Sequence, residues 1–120
     1  MPETKKMTLG KQGEDLAVRF LTANQYTILK RNFFSAFGEI DIITQKGDTL
    51  VFVEVKTRTS NFTNALNSVS FAKQQKMITT AAQFLADHTE YEDLATRFDV
   101  ISVIFRDQSY SLKHWPDAFI

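Results

Sequence analysis

The sequence predicts an α/β domain in which a mixed sheet is flanked by helices, with element order α-β-β-β-α-β-β. Two observations carry this. The neighbouring runs Gly38-Glu39-Ile40-Asp41-Ile42-Ile43 and Val51-Phe52-Val53-Glu54-Val55-Lys56 are rich in β-branched residues and alternate with period two, as antiparallel strands do. On either side of them, the segments near Thr8 to Asn24 and Ser70 to Asp87 repeat apolar residues at helical spacing.

The first helix is expected from near Thr8 to about Asn24, with Leu9, Gly13, Leu16, Ala17, Phe20 and Leu21 on one stripe. Glu14 borders that stripe, aligned with Ala17, Val18 and Leu21. Tyr26 to Asn32 is expected to be the first strand. Lys46-Gly47-Asp48 then joins the two alternating runs into a hairpin, and glycine at the first central position of the loop suits a type II′ turn. Lys46 then faces Thr49, Asp41 faces Glu54, and Glu39 faces Lys56. The strand period sends Ile40 and Ile42 to the other face with Val51, Val53 and Val55. Ile43, Leu50 and Phe52 share the charged face, so part of it is expected to be covered.

The polar stretch Thr59 to Ser70, with three asparagines and three serines, reads as a loop. The second helix is expected to turn Phe71, Gln74, Ile78, Ala81, Ala82 and Leu85 inward, with Lys73 flanking that stripe beside Met77 and Phe84 and Lys76 pointing outward. After a polar connection, Glu90 to Thr96, a strand over Arg97 to Arg106 has apolar residues on both faces, as a central strand does. Asp107-Gln108 is a turn. Ser109 to His114 forms the last strand, ended by Trp115-Pro116 because proline cannot continue a ladder.

At 120 residues, with 43% hydrophobic content and eleven phenylalanines, the chain is expected to form one domain, with residues 1–7 as a flexible lead. No stretch approaches the roughly 20 apolar residues that cross a bilayer, and no apolar signal region follows the start, so a cytoplasmic protein is expected. The absence of cysteine excludes disulfides, zinc–thiolate sites and thiol nucleophiles. Fourteen basic and fourteen acidic residues cancel, which predicts weak non-specific duplex binding. A local basic patch can still form from Lys30, Arg31, Lys56, Arg58, Lys73, Lys76 and Arg97. Arg58 stands out because it follows Lys56 on the same strand face.

Asp41 opposite Glu54 is a costly arrangement: two carboxylates repel by about 4 kcal/mol at about 4 Å and an effective dielectric of about 20. Water, spreading of the side chains or a shared proton offsets this, and a divalent cation held by oxygen ligands does so most strongly. With Lys56 on the same face, the set suits metal-assisted phosphodiester hydrolysis. The metal polarises the phosphate and acidifies the attacking water, and the lysine steadies the developing charge. An antiparallel sheet with one wet face produces the same alternation, and the pattern alone leaves both readings open. Glu14 reads equally as an acid facing a cleft or as a first-turn carboxylate near a helix N-terminus. A third reading pairs Glu39 with Lys56 and Asp41 with Arg58 as surface ion pairs worth about 0 to 1 kcal/mol each.

Several of these residues also match a known pattern. Gly10-x-x-Gly13-Glu14, Arg31-Asn32, Gly38-Glu39-Ile40-Asp41, Val51-Phe52-Val53-Glu54-Val55-Lys56-Thr57-Arg58, Ser68-Val69, Lys73-Gln74-x-Lys76, Arg97-Phe98-Asp99-Val100 and Asp117-Ala118-Phe119 closely resemble the bacterial YraN family over nearly the whole chain. The resemblance implies a small member of the PD-(D/E)XK nuclease superfamily with a restriction-endonuclease-like core, similar to archaeal Holliday-junction resolvases. Carried over position by position, it makes Asp41 and Glu54 metal ligands, Lys56 the catalytic lysine and Glu14 the additional helix acid. Glu39, Arg58, Lys73 and Gln74 match motif positions without a settled role. The chain departs from the pattern at Phe62-Thr63 and near Gln25, where the family usually has glycine.

The leading expectation is therefore Mg²⁺- or Mn²⁺-dependent cleavage of nucleic acid, DNA in the first instance, in repair or recombination. Arg58 and Lys73 are the expected nucleic-acid contacts. An intact Asp, Glu and Lys set favours this enzyme, whereas neutral charge favours a binding or adaptor protein that keeps the fold without cutting. Similar nucleases act as dimers, and a homodimer interface cannot be read from these residues. Asp99 is expected to pair with Arg97, and His88 and His114 to be surface or packing residues.

Overall fold

The computed structural model describes residues 7–59 and 69–119, so the lead before Met7, most of the expected loop from Thr59 to Ser70, and the Phe62-Thr63 departure lie outside the described residues. Helix α1 (Leu9–Ala23) begins at Thr8, whose hydroxyl accepts the Lys11 amide. Strands β1 (Thr27–Ser35), β2 (Gly38–Lys46) and β3 (Thr49–Arg58) follow, then helix α2 (Phe71–Asp87), a short 3-10 turn (Thr89–Tyr91), and strands β4 (Ala95–Arg106) and β5 (Ser109–Phe119). The expected order is the observed one.

The sheet runs β1-β2-β3-β4-β5, antiparallel throughout except where β4 lies parallel to β3. A parallel neighbour requires a crossover, and α2 supplies it on one face while α1 covers the other. Between α1 and the sheet pack Ala17, Leu21, Ile42, Val51, Val53 and Ile101. Against α2 pack Ile43, Leu50, Phe52, Met77, Phe84 and Phe98. β4 is buried continuously from Phe98 to Val103, as a strand covered on both faces should be.

The β2–β3 hairpin has the expected register from Lys46 opposite Thr49 to Ile42 opposite Val53. Gly47 has φ +58° and Asp48 stays outside the left-handed region, which selects type II′ over type I′. Beyond Ile42 the alternation fails. Ile40, expected beside Ile42, packs instead with Ile43 against α2. The cause lies next door in β1, where Asn32 takes φ +54° in the gap between the paired positions Arg31–Ile42 and Phe33–Ile40. That left-handed residue, a conformation asparagine tolerates better than most, breaks the strand phase opposite Asp41.

Four further expectations need correction. Leu9 and Phe71 are exposed, so each helix presents a stripe turned from the expected one: Gly13, Glu14, Ala17 and Leu21 on α1, and Met77, Thr80, Ala81 and Phe84 on α2. β1 runs on to Ser35. Glu39 lies opposite Phe34 of β1 and is exposed, and the β2–β3 ladder stops before it would meet Lys56. β5 continues through Pro116 because it is an edge strand with an irregularity opposite the Phe98–Val100 stretch, where the missing amide costs no ladder bond. Gln25 adopts φ +74°, a conformation that glycine takes most readily, near the position where the resemblance leads one to expect glycine. No helix among the described residues is long and apolar enough to cross a membrane.

Candidate functional site

The site forms where the paired ladder of β2 and β3 ends. Asp41 Oδ2 accepts the Val55 amide at 2.8 Å, so a side chain satisfies a backbone donor of the neighbouring strand. Glu54, next along β3, is only 4% exposed. Its Oε2 lies 3.6 Å from Lys56 Nζ and 3.5 Å from Lys73 Nζ, while Oε1 is buried with no hydrogen-bond partner among the described residues. An unsatisfied buried acceptor costs about 1–3 kcal/mol, more when charged. Burial, then the Glu54 charge, pushes Asp41 up to about 7, with Glu14 adding to the effect and the Val55 amide and Lys73 opposing it.

Glu14 approaches from α1. Gly13 makes this approach close: a β-carbon there would run into the Thr57 hydroxyl of β3. Glu14 is buried, and its Oε1 accepts Arg31 Nη2 at 2.8 Å, Arg31 Nε at 3.2 Å and Asn32 Nδ2 at 3.1 Å. Arg31 Nη2 also bridges to Asp15 at 2.6 Å. The kink residue Asn32 is thus also the residue that orients the helix acid. Its signal was visible as an asparagine within a β-rich stretch, where strands disfavour it, but its partner on α1 has no local trace in the sequence.

Asp41, Glu54, Lys56 and Lys73 come together, with Glu14 close enough to influence Asp41 but engaged by Arg31 and Asn32. The turned stripe of α2 is what aims Lys73 at Glu54. Arg58 Nη1 donates to the Thr57 carbonyl, and among the described residues neither Glu39–Lys56 nor Asp41–Arg58 forms an ion pair. The purely structural pairing expected as a third reading is therefore not what organises this face. Gln74 donates to the Val69 carbonyl at 3.1 Å and steadies the entry to α2. Lys76 is exposed.

Among the described residues, no three His, Cys, Asp or Glu groups converge closely enough to hold one ion unaided. The donor set on offer is two carboxylates, one with an orphaned oxygen. That fits Mg²⁺ or Mn²⁺, which takes one or two protein carboxylates and fills its shell with water and phosphate oxygens.

The uncharacterised protein family UPF0102 matches residues 13–103. The chain belongs to this family. A UPF0102 protein of Treponema pallidum subsp. pallidum is 45% identical over 123 residues, covering 99% of this chain and 97% of its own length. A UPF0102 protein of Geobacter metallireducens is 44% identical over 113 residues, covering 93% and 92%. Among solved structures, the "Structure of EndoMS-dsDNA2 complex" is similar with a TM-score of 0.38 and 11% identity; the match covers 89% of this chain and 41% of that one.

The UPF0102 span contains Glu14, Arg31, Asn32, Asp41, Glu54, Lys56 and Lys73, but ends before a second buried polar cluster is complete. In that cluster Asp99 accepts Arg97 Nε at 2.9 Å, lies 2.7 Å from His114 Nε2, and accepts the Asp117 amide at 2.9 Å. Arg97 Nη2 also donates to the Tyr26 hydroxyl at 2.9 Å. Burial alone would raise Asp99, but the bonds from His114, Arg97 and the Asp117 amide outweigh it and hold the carboxyl below its usual range. Asp99 pairs with Arg97 as expected and ties β4 to the irregular end of β5.

Proposed function

We propose that this chain is a nuclease-like hydrolase of the PD-(D/E)XK type, as the YraN-family resemblance implies, cleaving phosphodiester bonds in nucleic acid, DNA in the first instance. A cytoplasmic role in repair or recombination belongs to the same reading. The observation that carries it is the buried, unpartnered Glu54 Oε1 beside an Asp41 carboxyl raised to about 7, with two lysine ammonium groups on the adjoining oxygen. A surface built only for solubility has no reason to bury that oxygen unsatisfied.

Asp41 and Glu54 hold Mg²⁺ or Mn²⁺ in this reading, and the bound ion supplies a polarised phosphate and a more acidic water. Asp41 is oriented by the Val55 amide on Oδ2, which leaves its other oxygen to the ion. Lys56 stabilises the negative charge that develops on the phosphate oxygens. Lys73 neutralises Glu54 in the unloaded state and turns to phosphate when substrate enters. Glu14, clamped by Arg31 and Asn32, fixes the electrostatics around Asp41. Arg58 contacts the nucleic-acid backbone further along the same strand.

The zero net charge and the lack of a three-carboxylate cluster among the described residues favour a second reading, an adaptor that binds nucleic acid without cutting it. Purified protein incubated with Mn²⁺ and a panel of single-stranded, duplex and four-way DNA separates the two. The hydrolase reading expects Mn²⁺-dependent cleavage that Lys56→Ala abolishes while leaving binding. Binding with no cleavage in any member of the panel would favour the adaptor.

A further inference from the structure

Phe34, Phe37 and Phe71 are 67%, 51% and 73% exposed, unusual for a residue that forms so much of this core. Phe34 stands at the rim of a cavity of about 360 Å³ lined also by Lys30, Asn32, Phe33, Phe84 and His88. Rings line it, with Phe84 as a buried floor only 3% exposed. Phe84 and His88 stack with centroids 4.0 Å apart at 15°, and Phe33 meets Phe84 edge-on at 5.3 Å. Lys30 is an exposed cation at the same rim. The size lies at the lower end of small-ligand sites, about 300–1,000 Å³, and accommodates one heterocycle.

The cavity adjoins the site through one residue. Asn32 lines it and also donates to Glu14 Oε1 at 3.1 Å, in the gap of the ladder that faces Asp41. We infer that this cavity takes an unpaired nucleobase, stacked against the exposed Phe34 ring at its rim, from the same strand whose phosphate lies at Asp41 and Glu54. The inference rests on the hydrolase reading and names its substrate class: single-stranded or extrahelical nucleotides. A paired base keeps its faces inside the helix and cannot stack there. With no net positive charge to drive phosphate binding, stacking on aromatic rings is the affinity source these residues offer, and Lys30 receives the phosphate beside the stacked base.

The test uses the full chain, EDTA to prevent cleavage, and a short single-stranded oligonucleotide carrying 2-aminopurine, with its duplex as comparison. The expected result is a fluorescence change on binding the single strand, and about a tenfold weaker single-strand affinity in Phe34→Ala but not in Phe34→Trp. Duplex affinity and Mn²⁺ affinity should stay unchanged in Phe34→Ala, which also establishes that the variant folds. No fluorescence change, an equal loss for single strand and duplex, or a wild-type dimer that Phe34→Ala splits would overturn the inference. If the wild type fails to bind Mn²⁺ while the base still stacks, the hydrolase reading falls and the base site stands.

Discussion

Asp41 illustrates how one residue can serve a strand and a site together. Its carboxylate replaces a backbone partner for Val55, yet burial and Glu54 raise it to about 7. The unfolded chain releases that proton near pH 4, so between about pH 4 and pH 7 the folded state holds a proton that the unfolded state has lost. This group's stabilising contribution is therefore complete below about pH 4 and is lost as pH rises through 7. Urea denaturation in EDTA should show wild-type stability falling across that window and a shallower fall in Asp41→Asn. Identical slopes would mean that Asp41 is not the group being titrated. The nearness of Asp41 to Glu54 was legible from the two alternating runs and their glycine turn, but not as the expected facing pair, because the ladder ends at Ile42 opposite Val53. The clamp of Arg31 and Asn32 on Glu14 was not, because it joins an edge strand to a helix that share no sequence period.

The two helices bring their charged residues to the site through small features of packing. Gly13 allows α1 to press against Thr57, so Gly13→Ala should destabilise the fold by about 1–3 kcal/mol through overpacking. Adding Thr57→Ala removes the obstructing hydroxyl and should restore most of the loss, a coupling that a double-mutant cycle in urea measures directly. On α2 the buried stripe passes through Met77 and Phe84, leaving Phe71 in solvent. Met77→Ala should cost about 2–5 kcal/mol and Phe71→Ala less than about 0.5 kcal/mol. The reverse ranking would restore the stripe expected from sequence. Helical periodicity found both helices and their approximate starts near Thr8 and Ser70, but could not choose between apolar stripes one position apart. That rotation aims Lys73 at Glu54. Likewise, the strand period told Ile42 from Ile43 correctly and failed at Ile40, because a left-handed residue in one strand shifts phase across both.

In the molecule as a whole, the carboxylates and lysines gather where the ladder between β2 and β3 ends. Element order, the hairpin and the central strand β4 could all be read from alternation and turn chemistry. The course of β5 past Pro116 could not, since it depends on Asp99 capturing the Asp117 amide from a neighbouring strand. The divalent cation proposed for Asp41 and Glu54 would sit at the end of the β2–β3 ladder. Isothermal titration with Mn²⁺ at pH 8, on wild type and on Glu54→Gln, tests for it most directly. The account predicts saturable binding at one ion per chain that Glu54→Gln weakens by at least about tenfold, with the fold unchanged by circular dichroism. Equal affinity in the two proteins, or no binding by the wild type, would contradict it.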